Sequence, residues 1–136
     1  MKIEQLKKVL PQAWSPRIDI SLEGIFNRDD PSVGQCAVTA LVVQDYFGGE
    51  ILNTIVTGSD FPGISSSHYF NVIDGETIDL TRSQFKKGTH FSEALPKNEG
   101  LSSTREYMLS FPSTVERYEA LKLRVNELLK DSPVYD

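Results

Sequence analysis

Apolar residues return at helical spacing near the start of the chain. Ile3, Leu6, Val9 and Leu10 alternate with lysines and a glutamate, which predicts a short amphipathic helix over 2–10. Pro11 is expected to end it, and Trp14, beyond it, reads as a core or lid aromatic. The pattern changes over 34–47. Cys36-Ala37-Val38-Thr39-Ala40-Leu41-Val42-Val43 is apolar on nearly every side, as in a central, buried helix. Gly48-Gly49 is a strong stop signal, and Asp30 or Ser32 is the expected cap, with Pro31 in the first turn. Glu50–Thr57 is rich in β-branched residues and predicts a strand. A loop over 58–63 follows. Residues 66–81 then read as a hairpin around Asp74-Gly75, a two-residue turn signal. Polar residues over 86–100 predict a long loop, and a short helix is expected over 103–110. Ser113-Thr114-Val115-Glu116 reads as a capping box opening a final helix of about 17 residues. Its apolar stripe is built on Val115, Tyr118, Leu121, Val125, Leu128 and Leu129, and Glu116, Arg117, Lys122, Arg124 and Glu127 are expected on its solvated face.

These elements predict one α+β domain over 1–136: a central Cys-bearing helix on a small antiparallel sheet, flanked by N- and C-terminal helices. The length of 136 residues suits a single core without a disulfide framework. The one cysteine and the absence of an apolar leader in MKIEQLKKVLPQAW point to a reducing, cytoplasmic setting. No stretch approaches the roughly 18 apolar residues of a membrane span. A formal charge of −5 argues against a general nucleic-acid binder.

The candidate chemistry lies in three residues. A free cysteine is usually a small buried hydrophobe. Cys36, however, falls at the opening of the central helix, where unpaired N–H groups and the helix dipole favour the thiolate. Its own N–H is a candidate oxyanion donor. Gly34 beside it lets a substrate approach the backbone, or simply makes the turn. In the predicted hairpin Ile73 faces Glu76, and the count outward puts His68, Phe70, Val72, Thr77, Asp79 and Thr81 on one face. His68 and Asp79 are then diagonal neighbours, about 7–8 Å apart between backbones, within reach of an imidazole–carboxylate hydrogen bond. Asp79, between Ile78 and Leu80, needs a partner if buried; His68 is favoured over Arg82 or a backbone cap. The Cys36 helix is expected to cover the His68 face and so bring thiol and imidazole together. Gln35 is the first candidate for a second oxyanion or substrate donor, with Asn71, on the opposite face, and Ser67 behind it.

The strings Asp30-Pro31-Ser32-Val33-Gly34-Gln35-Cys36-Ala37-Val38-Thr39-Ala40-Leu41-Val42-Val43-Gln44-Asp45, His68-Tyr69-Phe70-Asn71, Ile73-Asp74-Gly75 and Asp79-Leu80-Thr81-Arg82-Ser83-Gln84-Phe85 resemble the signature of the YunG-like family of small bacterial proteins. That resemblance covers most of the chain from Trp14 on and implies no particular activity. A looser one is to papain-like and transglutaminase-like proteins, in which a Cys opens a central helix, a His lies on a strand and an Asp or Asn on the next. Cys36, His68 and Asp79 follow that order. Phe70 stands where the transglutaminase-like pattern often has tryptophan.

Two functions compete. One is a thiol hydrolase or acyl transferase acting on a peptide, amide or acyl substrate, with Cys36 as nucleophile, His68 as proton shuttle and Asp79 as its anchor. It needs no cofactor. The other is a catalytically silent module of the same fold that binds a protein partner, with Cys36 sealed and unreactive. A metal site is a distant third, because Cys36, His68 and His90 fit no standard zinc spacing.

Overall fold

The computed structural model describes residues 1–17, 24–58 and 65–131; most of the predicted 58–63 loop lies outside them. Helix α1 (Ile3–Ala13) is followed by α2 (Cys36–Phe47), β1 (Glu50–Thr57), β2 (Ser65–Ile73), β3 (Glu76–Ile78), a 3-10 turn (Arg82–Gln84), β4 (His90–Phe91), α3 (Thr104–Leu109) and α4 (Pro112–Asp131). The strands form one antiparallel sheet in the order β3-β2-β1-β4.

The hairpin register follows from its turn. Asp74 and Gly75 both have positive φ, 51° and 79°, as a turn matched to the strand twist requires. Ile73 therefore pairs with Glu76, Val72 with Thr77 and Asn71 with Ile78. The ladder ends there, three residues sooner than the predicted hairpin. Thr81 N–H turns back to Asp79 Oδ1 at 3.3 Å, and Gln84 N–H to Thr81 O at 3.1 Å, which draws the chain off into the 3-10 turn.

The core has two unequal parts. The larger lies between the sheet and α1, α2 and α4, built on Leu6, Leu10, Leu41, Val42, Val43 and Leu121 among others. Tyr69, Asn71 and Ile73 face it from β2: Tyr69 and Ile73 pack against it, and Asn71 Nδ2 donates to Ala40 O at 2.9 Å. The expectation that the Cys36 helix covers the His68 face is thus corrected. The body of α2 covers the opposite face, where those larger side chains and the Asn71 amide receive it. The His68 face is closed by a smaller cluster of Ile25, Val56 and Phe85, joined by Phe26 and Phe91.

Other boundaries shift for local reasons. Helix α1 runs through Pro11 to Ala13, because Val9, Leu10 and Ala13 are all buried and Trp14 N–H still reaches Leu10 O at 3.0 Å. Neither Asp30 nor Ser32 caps α2; they bond to each other in the turn ahead of it, and Gln35 stands at the cap position with Cys36 as the first helical residue. The 86–100 segment is not a featureless loop, since β4 pairs with β1 and Leu95 exchanges backbone hydrogen bonds with Asn53 at 2.8 and 2.9 Å. Helix α4 starts at Pro112, ahead of the predicted box, and it is α3 whose first turn is capped, by Ser103 Oγ accepting from Glu106 N–H at 3.1 Å. The solvated face of α4 also differs from expectation: Arg124 Nε donates to Ala13 O at 2.5 Å, and Lys122 Nζ lies 3.0 Å from Asp45.

Candidate active site

Cys36 is half-buried and unpaired, and opens α2. Gln35 makes no side-chain cap, so the first-turn N–H groups keep their partial positive charge beside the sulfur. The approach to this turn is held from several directions. Asp30 Oδ1 accepts from Ser32 N–H at 2.9 Å and Ser32 Oγ–H at 2.6 Å. Burial pushes the Asp30 carboxyl up, but those bonds outweigh it and hold the group below its usual range. Gly34, with φ of 77°, donates its N–H to Gln84 Oε1 at 3.1 Å, and its carbonyl accepts from Arg117 Nη2 at 2.8 Å. Gln84 is itself buried and donates to Thr81 O at 3.0 Å. One amide therefore ties the loop before Cys36 to the loop after Asp79.

His68 is fully buried. Its Nε2 lies 2.8 Å from Asp79 Oδ2, while Arg82 Nη1 is 3.8 Å from the same oxygen and largely exposed. The imidazole is the carboxylate's principal partner. Arg82 instead lays its guanidinium over the Phe91 ring, 3.4 Å from the centroid. Phe85 stands edge-on to the imidazole at 4.9 Å and Phe70 is stacked at 6.1 Å. These rings fix the imidazole plane and exclude water from it.

The other ring nitrogen, Nδ1, has no hydrogen-bond partner of ordinary geometry. Cys36 is nevertheless near enough to the imidazole to count among the causes of its raised pKa. Helix geometry agrees with that nearness. Asn71 holds Ala40, so one turn back along α2, about 6 Å, Cys36 falls level with residues two or three positions back along β2. Burial pushes the His68 pKa down, but the hydrogen bonds to Asp79 and Cys36 and the charges on both outweigh it, and the pKa rises to about 9. At neutral pH the group is an imidazolium, held through Nε2 by the Asp79 carboxyl.

The remaining sequence candidates fall in different places. Gly34 lies immediately before the thiol turn. Gln35 is buried and donates one amide hydrogen to Ser15 O at 2.5 Å, which ties the cap position to the chain after α1. Asn71 is buried on the α2 face and bonded to Ala40, a fastening of helix to sheet. Ser67 accepts from Asn53 Nδ2 at 2.6 Å. His90 is exposed on β4. Among the described residues no three His, Cys, Asp or Glu side chains are grouped to hold a metal ion. Sequence reasoning missed Gln84 and Arg117 as props of the thiol turn. Gln84 stands within the string that follows Asp79, which is the one signal that could have marked it; Arg117 carries none.

A family model described as YunG protein matches residues 2–130. A curated relative, "Uncharacterized protein YunG" of Bacillus subtilis (strain 168), is 39% identical over 84 residues, spanning 62% of this chain and 64% of the relative. No solved structure matches.

Proposed function

The chain belongs to the YunG family, matched over 2–130, a stretch that includes Cys36, His68 and Asp79, and we propose, from the geometry of these three residues, that they form a thiol site for acyl chemistry. The protein is then a hydrolase or acyl transferase of protease, amidase or deamidase type, of papain-like or transglutaminase-like design, working in the reducing cytoplasm. The observation that carries the reading is the buried imidazole of His68, with Nε2 2.8 Å from Asp79 and Nδ1 without a hydrogen-bond partner. The silent-module reading expects a sealed cysteine, whereas Cys36 is only partly buried.

The thiolate of Cys36 attacks a carbonyl carbon. A C–S bond forms and the carbonyl π pair moves to oxygen, which the Cys36 N–H and the helix dipole stabilise. His68, protonated below about pH 9, gives its Nδ1 proton to the departing amine as the C–N bond breaks. The resulting thioester is then attacked by water or by an acceptor amine, whose proton returns to His68, and the C–S bond breaks with its pair returning to Cys36 as the thiolate. Asp79 bonds Nε2 and holds the ring so that Nδ1 is turned toward the thiol.

The test is covalent trapping with p-nitrophenyl acetate followed by intact-mass and peptide analysis. The reading expects one acetyl group, on Cys36, with formation slowed at least tenfold in His68→Ala. Acetylation scattered over lysines, with Cys36 unmodified, would refute it.

A further inference from the structure

The proposed site has one backbone donor for an oxyanion, the Cys36 N–H, and acyl-transfer sites work through at least two. Gln35 and Asn71 are each turned elsewhere by one amide bond, to Ser15 O and to Ala40 O. A different group faces the first turn of α2. On β2 the side chains of Asn71 and Tyr69 share a face. Asn71 is bonded to Ala40, so Tyr69, two residues back on the strand, meets the helix about one turn back, at Cys36. Its half-buried ring packs against the same core as Ala37.

Tyr69 is also wired for donation. It pairs across the sheet with Asn53. The Asn53 amide nitrogen faces both the His68 carbonyl, at 3.4 Å, and Ser67 Oγ, at 2.6 Å. Because a carbonyl only accepts, that atom must be the donor NH2. Ser67 Oγ therefore accepts from Asn53 and has its own proton to give, and Tyr69, two residues on along β2, shares its face of the sheet, where Ser67 counts among the influences on the phenol. A proton given by Ser67 to the phenol oxygen would leave the phenol's own proton to point onward. Burial, then the neighbouring Tyr107 and the Cys36 charge, push the phenol up to about 12, so it keeps its proton at neutral pH.

We infer that the Tyr69 hydroxyl is the second oxyanion donor of the site, hydrogen-bonding the carbonyl oxygen of an acyl substrate as Cys36 attacks it. This rests on the thiol reading above. The oxygen gains its charge when the carbonyl π pair moves onto it, accepts from Tyr69 O–H and Cys36 N–H, and loses the charge when the C=O bond reforms and the leaving group departs with its bonding pair.

Two reagents separate this role from a structural one. Acylation by p-nitrophenyl acetate passes through an oxyanion; alkylation by iodoacetamide is a direct displacement that forms none. In Tyr69→Phe, acylation of Cys36 is expected to fall about tenfold or more, with alkylation unchanged within about twofold. Ser67→Ala, which removes only the polarising neighbour, is expected to give a smaller loss in acylation alone, and it answers the question if Tyr69→Phe folds poorly. Equal rates in wild type and both variants would overturn the inference, and so would parallel losses with both reagents. If wild-type Cys36 reacts with neither reagent faster than a free thiol does, the thiol reading itself fails and this donor role falls with it.

Discussion

His68 shows how burial and partners combine at one residue. Its charged form would be disfavoured in a site walled by Phe70 and Phe85, yet Asp79 and Cys36 reverse that and carry the pKa from 6.5 to about 9. The sign for stability follows. A folded-state pKa above the unfolded one contributes stability that is fully present below about pH 6.5 and lost as pH rises through about 9. The size is up to about 3 kcal/mol, at 1.36 kcal/mol per pKa unit. In urea denaturation the wild-type midpoint should therefore fall between pH 6.5 and 9. Asp79→Asn should be less stable at pH 6 and should flatten that fall, because a neutral amide no longer holds the imidazolium. Equal pH slopes for the two chains would mean that Asp79 does not set the His68 charge.

At the scale of elements, the site is a meeting of loops that strands and helices hold still. Helix α2 lies on the Asn71 face of the sheet and His68 points to the other, so only the opening of the helix, beside β2, lies near the imidazole. Gln84 fixes that opening. Its side chain bonds Gly34 N–H and Thr81 O, and both bonds are lost in Gln84→Ala. Leaving those groups unpaired should cost about 1–3 kcal/mol, and acylation of Cys36 should fall although no triad atom is touched; full activity in a destabilised Gln84→Ala would make its role purely structural. The hairpin register was legible in the sequence because Asp74-Gly75 admits few turns and side chains alternate strictly. So was the His68–Asp79 pair. The face taken by α2 was not, since that helix is apolar all round and has no stripe to declare which side it buries. The early end of β3 was hidden too, because it depends on Asp79 Oδ1 and Thr81 capturing the backbone, contacts that form only once the chain turns.

Across the whole molecule, residues far apart in sequence are drawn to Cys36 by packing. Arg117 reaches from α4 to the Gly34 carbonyl. Asp45 on α2 is gripped by Arg105 at 2.9 Å and Lys122 at 3.0 Å, with Tyr118 donating to it as well, so α2, α3 and α4 share one polar clamp. Such props were unreadable as more than a solvated face, because periodicity tells which side of a helix is polar and says nothing of what a long side chain can reach. The thiol environment is consequently a property of the folded chain. No described helix is long and apolar enough to cross a membrane.

The most direct test of the central claim, that Cys36 is activated by an imidazolium anchored on Asp79, is the rate of iodoacetamide alkylation as a function of pH in wild type and His68→Ala. The account predicts wild-type labelling at least tenfold faster than that of the variant at neutral pH. Superimposable profiles would contradict it.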